Sequence, residues 1–530
     1  MPHLDLVVRG GDVLDGSGAP ARRADVGVQG DRVVAIGDLG STRASRHVDA
    51  RDRIVAPGFI DVQSQSNLTL LADGLAQSHV RQGITTEIVG EGGSPGQLTP
   101  RILEQDARYV EWLDALGLRL DWSGLRGYFE RLEASGTSVN VGAFASVDLL
   151  RAEAVGLDDR PPTRAELDRM CALLRAALDD GAFGLATALV YPPASYCSTD
   201  ELVHLAAVAA RAGGSYASHV RGESGRVLDA IGEAIAIGER ARIPVLVYHL
   251  KVAGKPNWGR MKDVGALVEA ARARGVSVSA CQYPYAAAGT GICAPLPDWV
   301  QEGGPLRLVE RLVHRDTRAR VRRDMESRDA ALGRIDFDAI QVASVPPDGD
   351  TGAIGRRVSE IARARSADPW DTYFDLVTRN RANVFCIFHS MSEDDVRVAM
   401  RWPWVGVASD AEAVDLGHPG LVHPRAYGTF PRVLGRYARE ERVLDLPEAV
   451  RKMTSLPASQ LGLVDRGCVR TGAFADLVVF DPDGVRDTAT FEAPHAFPVG
   501  IDAVIVNGAV TVEDGAHTGA RAGRAIRRRS

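Results

Sequence analysis

The chain has 530 residues, of which 45% are hydrophobic and 25% are charged, and this composition is typical of a globular protein. The formal net charge of −7 gives no electrostatic reason to expect nucleic acid or an anionic membrane surface as a partner. Because the sequence contains no long apolar run and no apolar signal-peptide core, we expect no membrane span and a cytoplasmic location.

Both ends of the chain carry the same strand pattern. The segments "LDLVVRGGDVLDGSG" and "ADVGVQGDRVVAIGDL" alternate apolar and polar residues around Gly-Asp turns, which predicts hairpins. The pattern returns near the C-terminus in "ADLVVFDPDGV" and "IDAVIVNGAVTVEDG". We therefore predict one small β-domain built from residues 1–56 and 468–530, with the basic tail "ARAGRAIRRRS" as a solvated end.

Between these ends, short apolar runs alternate with helical stretches such as "RAELDRMCALLRAALDDG", "STDELVHLAAVAARAGG" and "MKDVGALVEAARARG". Strands interleaved with helices predict a parallel sheet covered by helices, and eight such units over residues 57–467 predict a (β/α)8 barrel. An insertion at residues 290–400, which includes the charged helix "VERLVHRDTRARVRRDMESR", is predicted to cover the barrel mouth. The eight strand candidates are "GFIDVQ", "TTEIVGE", "VNVGAFAS", "FGLATALVY", "SYASHV", "PVLVYHL", "VSVSACQY" and "WVGVASD".

Chemically active side chains collect at the carboxyl ends of these strands, where barrel enzymes place their catalytic groups. Two histidines, His219 and His249, end consecutive strands, and Asp410 ends the last one. Imidazole together with carboxylate is a ligand set that zinc uses in catalytic sites. The remaining polar residues at strand ends are Gln63, Gln65, Glu91, Tyr191, Lys251 and Tyr283.

Several motifs occur in the order found in one known family. They are "APGFIDV", "LVYPPASYCSTDEL", "SHVRGES", "HLKVAGKPNWG", "QYPYAA", "HPRAYGTFPRVLGRYARE" and "RKMTSLPASQLGLVDRGCVRTGAFADLVVFDP". Over nearly the whole chain the sequence resembles the amidohydrolase superfamily and, within it, the D-aminoacylase (N-acyl-D-amino-acid deacylase) group. The resemblance implies a barrel with a small β-sandwich from both termini, and hydrolysis of the non-peptide C–N bond of an N-acyl amino acid.

The resemblance transfers only part of the family's metal site. His219 and His249 match its two strand histidines, and Asp410 matches the aspartate that takes a proton from metal-activated water and passes it to the leaving nitrogen. Gln63 and Gln65 stand where the family has His-x-His. The strand-two motif, which carries a cysteine ligand in the family, reads Gly-Glu-Gly-Gly here, so the cysteine position becomes Gly92 and Glu91 lies one residue earlier.

These residues lead to a one-metal hypothesis. A glutamine offers only a neutral carbonyl oxygen as a ligand, so we expect the second metal position to be lost. His219, His249 and Glu91 would hold one zinc ion, and Asp410 would act as general base and acid. The expected contacts to a small, carboxylate-bearing substrate come from Lys251, Arg425, Tyr191, Tyr283, Gln63 and Gln65.

Other interpretations stay open at this point. If Glu91 is solvated or bonds backbone amides instead, the site binds no zinc in practice. Metal-free catalysis (acyl transfer, ring opening or elimination) by His219, His249, Lys251 and Asp410, or a non-catalytic binding role, would then remain. Lys251 could equally form a salt bridge and Arg425 could fasten a loop; the oligomeric state is open.

Overall fold

The computed structural model describes residues 3–332 and 335–528. The predicted domain ranges also include residues 1–2, 333–334 and 529–530, which lie outside the described residues. The strands are β1 Leu4–Val13, β2 Arg22–Gln29, β3 Arg32–Gly37, β4 Ala44–Asp49, β5 Ile54–Pro57, β6 Phe59–Asp61, β7 Ile84–Val89, β8 Asn140–Ala143, β9 Ala145–Ser146, β10 Gly184–Ala188, β11 Ser215–His219, β12 Val245–Val247, β13 Val278–Gln282, β14 Ala288–Gly291, β15 Ile340–Ser344, β16 Phe385–Phe388, β17 Val405–Val407, β18 Leu477–Phe480, β19 Ile501–Val506, β20 Ala509–Glu513 and β21 Ala516–His517.

Helices fill most of the intervals between the central strands. The α-helices are α1 Thr69–Ala72, α2 Gln77–Val80, α3 Pro100–Gln105, α4 Ala107–Ala115, α5 Gly124–Ser135, α6 Val147–Ala154, α7 Arg164–Asp179, α8 Thr199–Arg211, α9 Val227–Ala241, α10 Met261–Ala273, α11 Asp298–Gln301, α12 Pro305–Leu312, α13 Arg315–Leu332, α14 Val358–Arg365, α15 Pro369–Arg379, α16 Glu393–Met400, α17 Arg425–Arg432, α18 Leu446–Met453 and α19 Ser455–Gln460. A π-helical segment, Val433–Glu440, continues α17.

The central strands run parallel, as their continuous apolar sequences predict. One sheet has the order β17-β13-β12-β11-β10-β9 and a second has the order β6-β7-β8. Backbone hydrogen bonds join the two sheets at both edges: Phe183 N–H donates to Ala143 O at 2.9 Å, and Asp410 N–H donates to Gln63 O at 2.9 Å. A strand lies within or overlaps each of the eight predicted segments, and the third segment is split into β8 and β9.

Amphipathic helices cover the outside of these sheets. The three predicted helices are confirmed as α7, α8 and α10, and α7 begins at a capping box in which Thr163 and Glu166 bond each other's backbone. The helices α7, α8, α9 and α10 pack side by side in sequence order. Their apolar stripes, such as Leu174 and Leu178 on α7, face the sheet and are buried, and each such leucine contributes about 1.5–3 kcal/mol.

Strands from both chain ends form a single nine-stranded sheet. Its order is β21-β20-β19-β18-β5-β1-β2-β3, with β4 paired to β1. The junction is the antiparallel pair β5 and β18, in which Ile54 lies opposite Phe480 and Pro57 opposite Leu477. The matching strand patterns at the two ends thus belong to one sheet, as the sequence predicts.

The segment between β13 and β17 has a core of its own. Strands β14, β16 and β15 form an antiparallel sheet, and helices α11 to α15 pack around it. The prediction of one charged helix with little apolar face is wrong, because the chain forms two helices, α12 and α13, that break after Leu312. Leu312, Val321 and Met325 are buried in this small core, so apolar residues of both helices contribute to it.

The prediction of a solvated C-terminal tail is also wrong for its described part. Gly523 N–H donates to Thr137 O, Ile526 N–H to Val141 O and Arg528 N–H to Gly181 O, at 2.7–2.9 Å. The tail therefore satisfies backbone groups beside β8. Across the part of the chain that the structure describes, no helix combines the length and apolarity needed to span a bilayer.

Candidate active site

A cavity of about 1540 Å³ opens at the carboxyl ends of the parallel strands. Its lining includes groups that follow β7, β11, β12 and β17, together with residues from α4 and from the segment around β14 to β16. Every residue predicted from the strand ends lines this cavity except Gln63, which lies directly beneath it, bonded to Glu91 and Asp410.

Three of these residues form a compact triangle of donor atoms. Glu91 Oε1 is 3.0 Å from His219 Nδ1 and 3.0 Å from His249 Nε2, and the two ring nitrogens are 2.9 Å apart. All three side chains are buried. Within the described residues, this is the cluster of histidine and carboxylate groups that could hold a metal ion.

Local backbone conformation places these groups. Glu91 sits between Gly90, with φ +115°, and Gly92, with φ +62°, and a Cβ on Gly90 would lie 2.5 Å from Phe144 O. At position 90, any residue other than glycine would have a strained backbone and a side chain that clashes with Phe144 O. His249 and Asp410 also have positive φ values, 32° and 50°, which is costly for non-glycine residues and is typical of functional sites.

The two glutamines present N–H groups, not ligand oxygens, to the site. Gln63 Oε1 accepts the backbone N–H of His249 at 3.0 Å, and this fixes the orientation of its amide. The Nε2 atom of Gln63 therefore faces Glu91 Oε2 and Asp410 Oδ1. Gln65 Nε2 faces the same two oxygens at 2.7 and 3.0 Å. The glutamine pair thus ties two carboxylates together with amide donors.

Asp410 has a second partner on its other oxygen. Arg425 Nη1 lies 2.8 Å from Asp410 Oδ2, and both side chains are buried. Arg425 also stacks over Tyr283, and its Nη2 donates to Gly289 O at 3.3 Å. Among the described residues, Arg425 Nε has no hydrogen-bond partner, whereas Nη1 is engaged by Asp410. A buried guanidinium with an unpartnered N–H group in a cavity is suited to bind an anionic ligand group.

Glu223 is a site residue that the sequence analysis missed. It contacts Lys251 Nζ at 2.5 Å and His249 Nδ1 at 3.1 Å, and Lys251 Nζ is itself 2.7 Å from His249 Nδ1. Lys251 therefore has the salt bridge that the sequence left as an alternative. The available signal was position, because Glu223 follows His219 by four residues in "SHVRGES".

Electrostatics favour a cation at the centre of the triangle. Burial raises the pKa of Glu91, but His249 and His219 outweigh it and hold the pKa well below its usual range. Burial and Lys251 lower the pKa of His249, yet the surrounding carboxylates outweigh both and raise it to about 9. The site thus stabilises positive charge, and a metal ion would replace the proton that His249 otherwise carries.

The two tyrosines differ in their contacts. Tyr191 packs edge-on against the His219 ring, with centroids 5.4 Å apart, and its hydroxyl bonds Thr290. Tyr283 lies beneath Arg425, and its hydroxyl contacts Met391 Sδ at 3.6 Å. Tyr191 lines the cavity, and its hydroxyl is hydrogen-bonded to the Thr290 side chain. Tyr283 instead packs against the guanidinium group of Arg425.

A buried polar network lies below the strand ends. His79 Nδ1 is 3.0 Å from Glu87 Oε1, and both side chains are fully buried. Ser64 Oγ donates to Glu87 Oε2, and the Ser409 hydroxyl donates to Asp61. These contacts fix the backbone on either side of the glutamines and of Asp410.

The donor triangle fits zinc in both chemistry and size. Zinc ligand distances of about 2.0–2.2 Å with tetrahedral angles place neighbouring donor atoms about 3.3 Å apart. The observed separations of 2.9–3.0 Å are short of this by only about 0.3–0.4 Å. The remaining ring nitrogen, His219 Nε2, is buried and has no hydrogen-bond partner within the described ranges. Two imidazoles and a carboxylate leave an open position for a ligand.

Known proteins resemble the chain over its whole length. A family model described as "Amidohydrolase family" matches residues 46–512. A D-aminoacylase of Alcaligenes xylosoxydans xylosoxydans is 35% identical over 525 residues, which are 99% of this chain and 98% of that protein. The crystal structure of an N-acyl-D-glutamate deacylase from Bordetella bronchiseptica, complexed with zinc and a phosphonate mimic of the tetrahedral intermediate, matches with a TM-score of 0.82 and 34% identity, over 99% of this chain and 100% of that one.

A D-aminoacylase structure matches equally well, with a TM-score of 0.82, 34% identity, and coverage of 99% of this chain and 100% of that one. It is described as having a binuclear metal centre, with one-metal activation and second-metal attenuation.

Proposed function

The chain belongs to the amidohydrolase family, and from that premise we propose that it hydrolyses the amide bond of N-acyl amino acids with the help of one zinc ion. His219, His249 and Glu91 would hold this ion. The observation that carries the proposal is their triangle of donor atoms, with separations of 2.9–3.0 Å inside a large cavity. When bound there, zinc supplies Lewis acidity and lowers the pKa of water to about 7.

Asp410 is the proposed general base and acid. Its carboxylate is in the same cavity as the triangle, and Gln65 links it to Glu91 through one amide nitrogen. It would take a proton from the attacking water and donate it to the leaving nitrogen. Gln65 and Arg425 hold one oxygen each, so the carboxylate is oriented before the substrate enters.

Arg425 and Lys251 are the proposed partners of the substrate's carboxylate. Both cations line the cavity, and Arg425 retains an unpartnered Nε donor among the described residues. The pairs with Asp410 and Glu223 orient these cations without using all of their donors. Tyr191 and Gln65 would border the same substrate, while Tyr283 would act through its contact with Arg425.

The glutamine pair supports one metal ion rather than two. Gln63 and Gln65 direct their amide N–H groups at Glu91 Oε2 and Asp410 Oδ1. A second cation bound by Glu91 and Asp410 would need lone pairs from its other ligands, but the two amides direct N–H groups toward these carboxylates. We therefore extend the proposal to a centre that the glutamine pair keeps mononuclear, in place of the family's His-x-His.

We also propose that the chain consists of a barrel, a β-sandwich and a lid. The hydrogen bonds that join the two parallel sheets at both edges support a closed (β/α)8 barrel over residues 57–467. Residues 1–56 and 468–530 would form the β-sandwich, and residues 290–400 a lid, whose Phe385 and Phe388 line the cavity.

Metal analysis tests the proposal directly. Protein purified without added zinc should contain about one zinc ion per chain and should release amino acid from N-acetyl-D-amino acids. Glu91→Gln should lose both the metal and the turnover, while Glu412→Gln, a matched change elsewhere in the same cavity, should keep the metal. A metal-free protein whose turnover survives chelators would instead favour proton chemistry by His249 and Lys251, whose nitrogens are 2.7 Å apart. Tight ligand binding without any turnover would favour a binding role.

A further inference from the structure

The lining of the cavity carries an excess of negative charge. Among the described residues that line it, seven are carboxylates and only four are lysine or arginine. The carboxylates are Glu91, Asp106, Glu111, Asp114, Glu223, Asp410 and Glu412. A metal ion held by Glu91 and the histidines would offset part of this charge at the floor of the cavity, but not along its walls.

The four cations are already paired with carboxylates. At the mouth, Arg108 lies 2.6 Å from Asp106, and Arg381 lies 2.9 Å from Asp348 and 3.1 Å from Glu111. Deeper inside are the Lys251 and Arg425 pairs, which the proposed function assigns to the substrate's single α-carboxylate. A second carboxylate on the substrate would therefore be left with Arg108 and Arg381, whose charges are already neutralised by Asp106 and by Asp348 and Glu111.

The histidines on the cavity wall add no positive charge. His423 accepts the backbone N–H of Arg425 on Nδ1 at 3.1 Å and donates from Nε2 to Ala287 O at 3.0 Å. Both ring positions are thus used by a neutral imidazole. Burial, together with His495, lowers the pKa of His418 below its usual value.

One carboxylate on the wall faces the cavity without a partner. Glu412 follows Asp410 by two residues, and in the described part of the chain it forms no hydrogen bond or ion pair. The charge that acts on it is that of the buried His79. Burial raises the pKa of Glu412 to about 7, against the lowering effect of His79, so the side chain is largely ionised at pH 8.

Resting on the proposed function, we propose that the cavity selects N-acyl amino acids with a single carboxylate and a neutral or cationic side chain. It discriminates against N-acyl-glutamate and N-acyl-aspartate, and Glu412 is a specificity-determining residue. A like charge brought beside an unpaired carboxylate is repelled, and a cationic side chain is attracted. The Bordetella bronchiseptica relative is named for an acidic substrate, so the inference comes from the charges of this cavity and not from the family.

Two substrate pairs test this preference at pH 8. N-acetyl-D-glutamine and N-acetyl-D-glutamate have nearly the same size and differ by one negative charge, and N-acetyl-D-lysine and N-acetyl-D-norleucine differ by one positive charge. We expect kcat/KM to favour glutamine over glutamate by about tenfold or more, and lysine to equal or exceed norleucine. Glutamate used as well as glutamine would overturn the proposal.

The variant Glu412→Gln identifies the residue responsible. It should reduce the glutamine-to-glutamate ratio and the lysine-to-norleucine ratio by several-fold, while Asp114→Asn, an exposed carboxylate on the same lining, should change neither. Unchanged ratios in Glu412→Gln would refute its assigned role.

If no compound is hydrolysed, the proposed function fails, and calorimetric Kd values of the same four compounds on the wild-type protein then decide the charge preference. Weaker binding of N-acetyl-D-glutamate than of N-acetyl-D-glutamine would support the inference. Equal affinities, or no binding by any of the four, would overturn it.

Discussion

Replacing Arg425 by methionine removes the guanidinium that we assign to the substrate's carboxylate. Methionine keeps an unbranched side chain of similar length, so the contact with Tyr283 is partly retained. The change has two effects: Asp410 loses its 2.8 Å partner, and the substrate loses a donor group. The first effect is the same for every substrate, whereas the second exists only for substrates that carry a carboxylate.

The structure sets the size of the second effect. Arg425 Nε is buried and, among described residues, is free of hydrogen-bond partners, whereas Nη1 already faces Asp410, so one charge-assisted bond is available to a carboxylate. A hydrogen bond to a charged group contributes about 1.5–3 kcal/mol, so we expect a loss of about 2 kcal/mol. At 1.4 kcal/mol per factor of ten, this corresponds to about 30-fold.

The assay compares N-acetyl-D-leucine with its C-terminal amide, which lacks the negative charge. The ratio of their kcat/KM values cancels the common loss that arises from Asp410, and in Arg425→Met it should fall by about 30-fold. Arg381→Met, which removes an exposed cation at the cavity mouth, should leave the ratio within about twofold. A ratio that does not change in Arg425→Met would show that the carboxylate is bound elsewhere.

Three further changes test other parts of the site. The double variant Gln63→His plus Gln65→His restores imidazole donors, so zinc per chain should rise from about one toward two in excess metal, as counted by mass spectrometry; wild-type protein that takes up two ions would contradict the role of the amides. His79→Gln should lower the free energy of unfolding by about 3–5 kcal/mol because it leaves Glu87 charged and unpaired in the interior, and adding Glu87→Gln should recover part of this loss in denaturant melts. Gly90→Ala should reduce zinc content, since its φ of +115° and the adjacent carbonyl leave no room for a Cβ, and normal zinc content would show that the loop tolerates a shift.

The sequence located the candidate site because strand ends are fixed by short-range pattern. His219, His249 and Asp410 each close an apolar run, and parallel strands bring such positions to one edge whatever the details of packing. Glu91 could be proposed because it is the carboxylate at the end of the second strand, one residue before the position at which the family has its cysteine. The paired glutamines were also visible, since residues i and i+2 of a strand project to the same side.

The sequence does not predict how the site side chains are oriented toward one another. The direction of the Gln63 amide depends on the backbone N–H of His249, a residue 186 positions away along the chain. Likewise, Glu223 was passed over because only the folded chain brings its carboxylate against Lys251 and His249. The predictions of one continuous helix in place of α12 and α13 and of a solvated C-terminal tail are wrong for a similar reason. In both segments, contacts with distant parts of the chain override the local charge pattern.

By itself, the sequence determined the alternating strands and helices, the shared sheet of the two termini and the inventory of donors, because these follow from local periodicity and residue chemistry. The tertiary structure alone decided that the glutamines donate rather than ligate, that every lysine and arginine of the described cavity lining already faces an acid, and that Glu412 forms no ion pair among the described residues. Charges and hydrogen bonds act over a few ångströms of space, and such distances between remote residues are set only when the chain has folded.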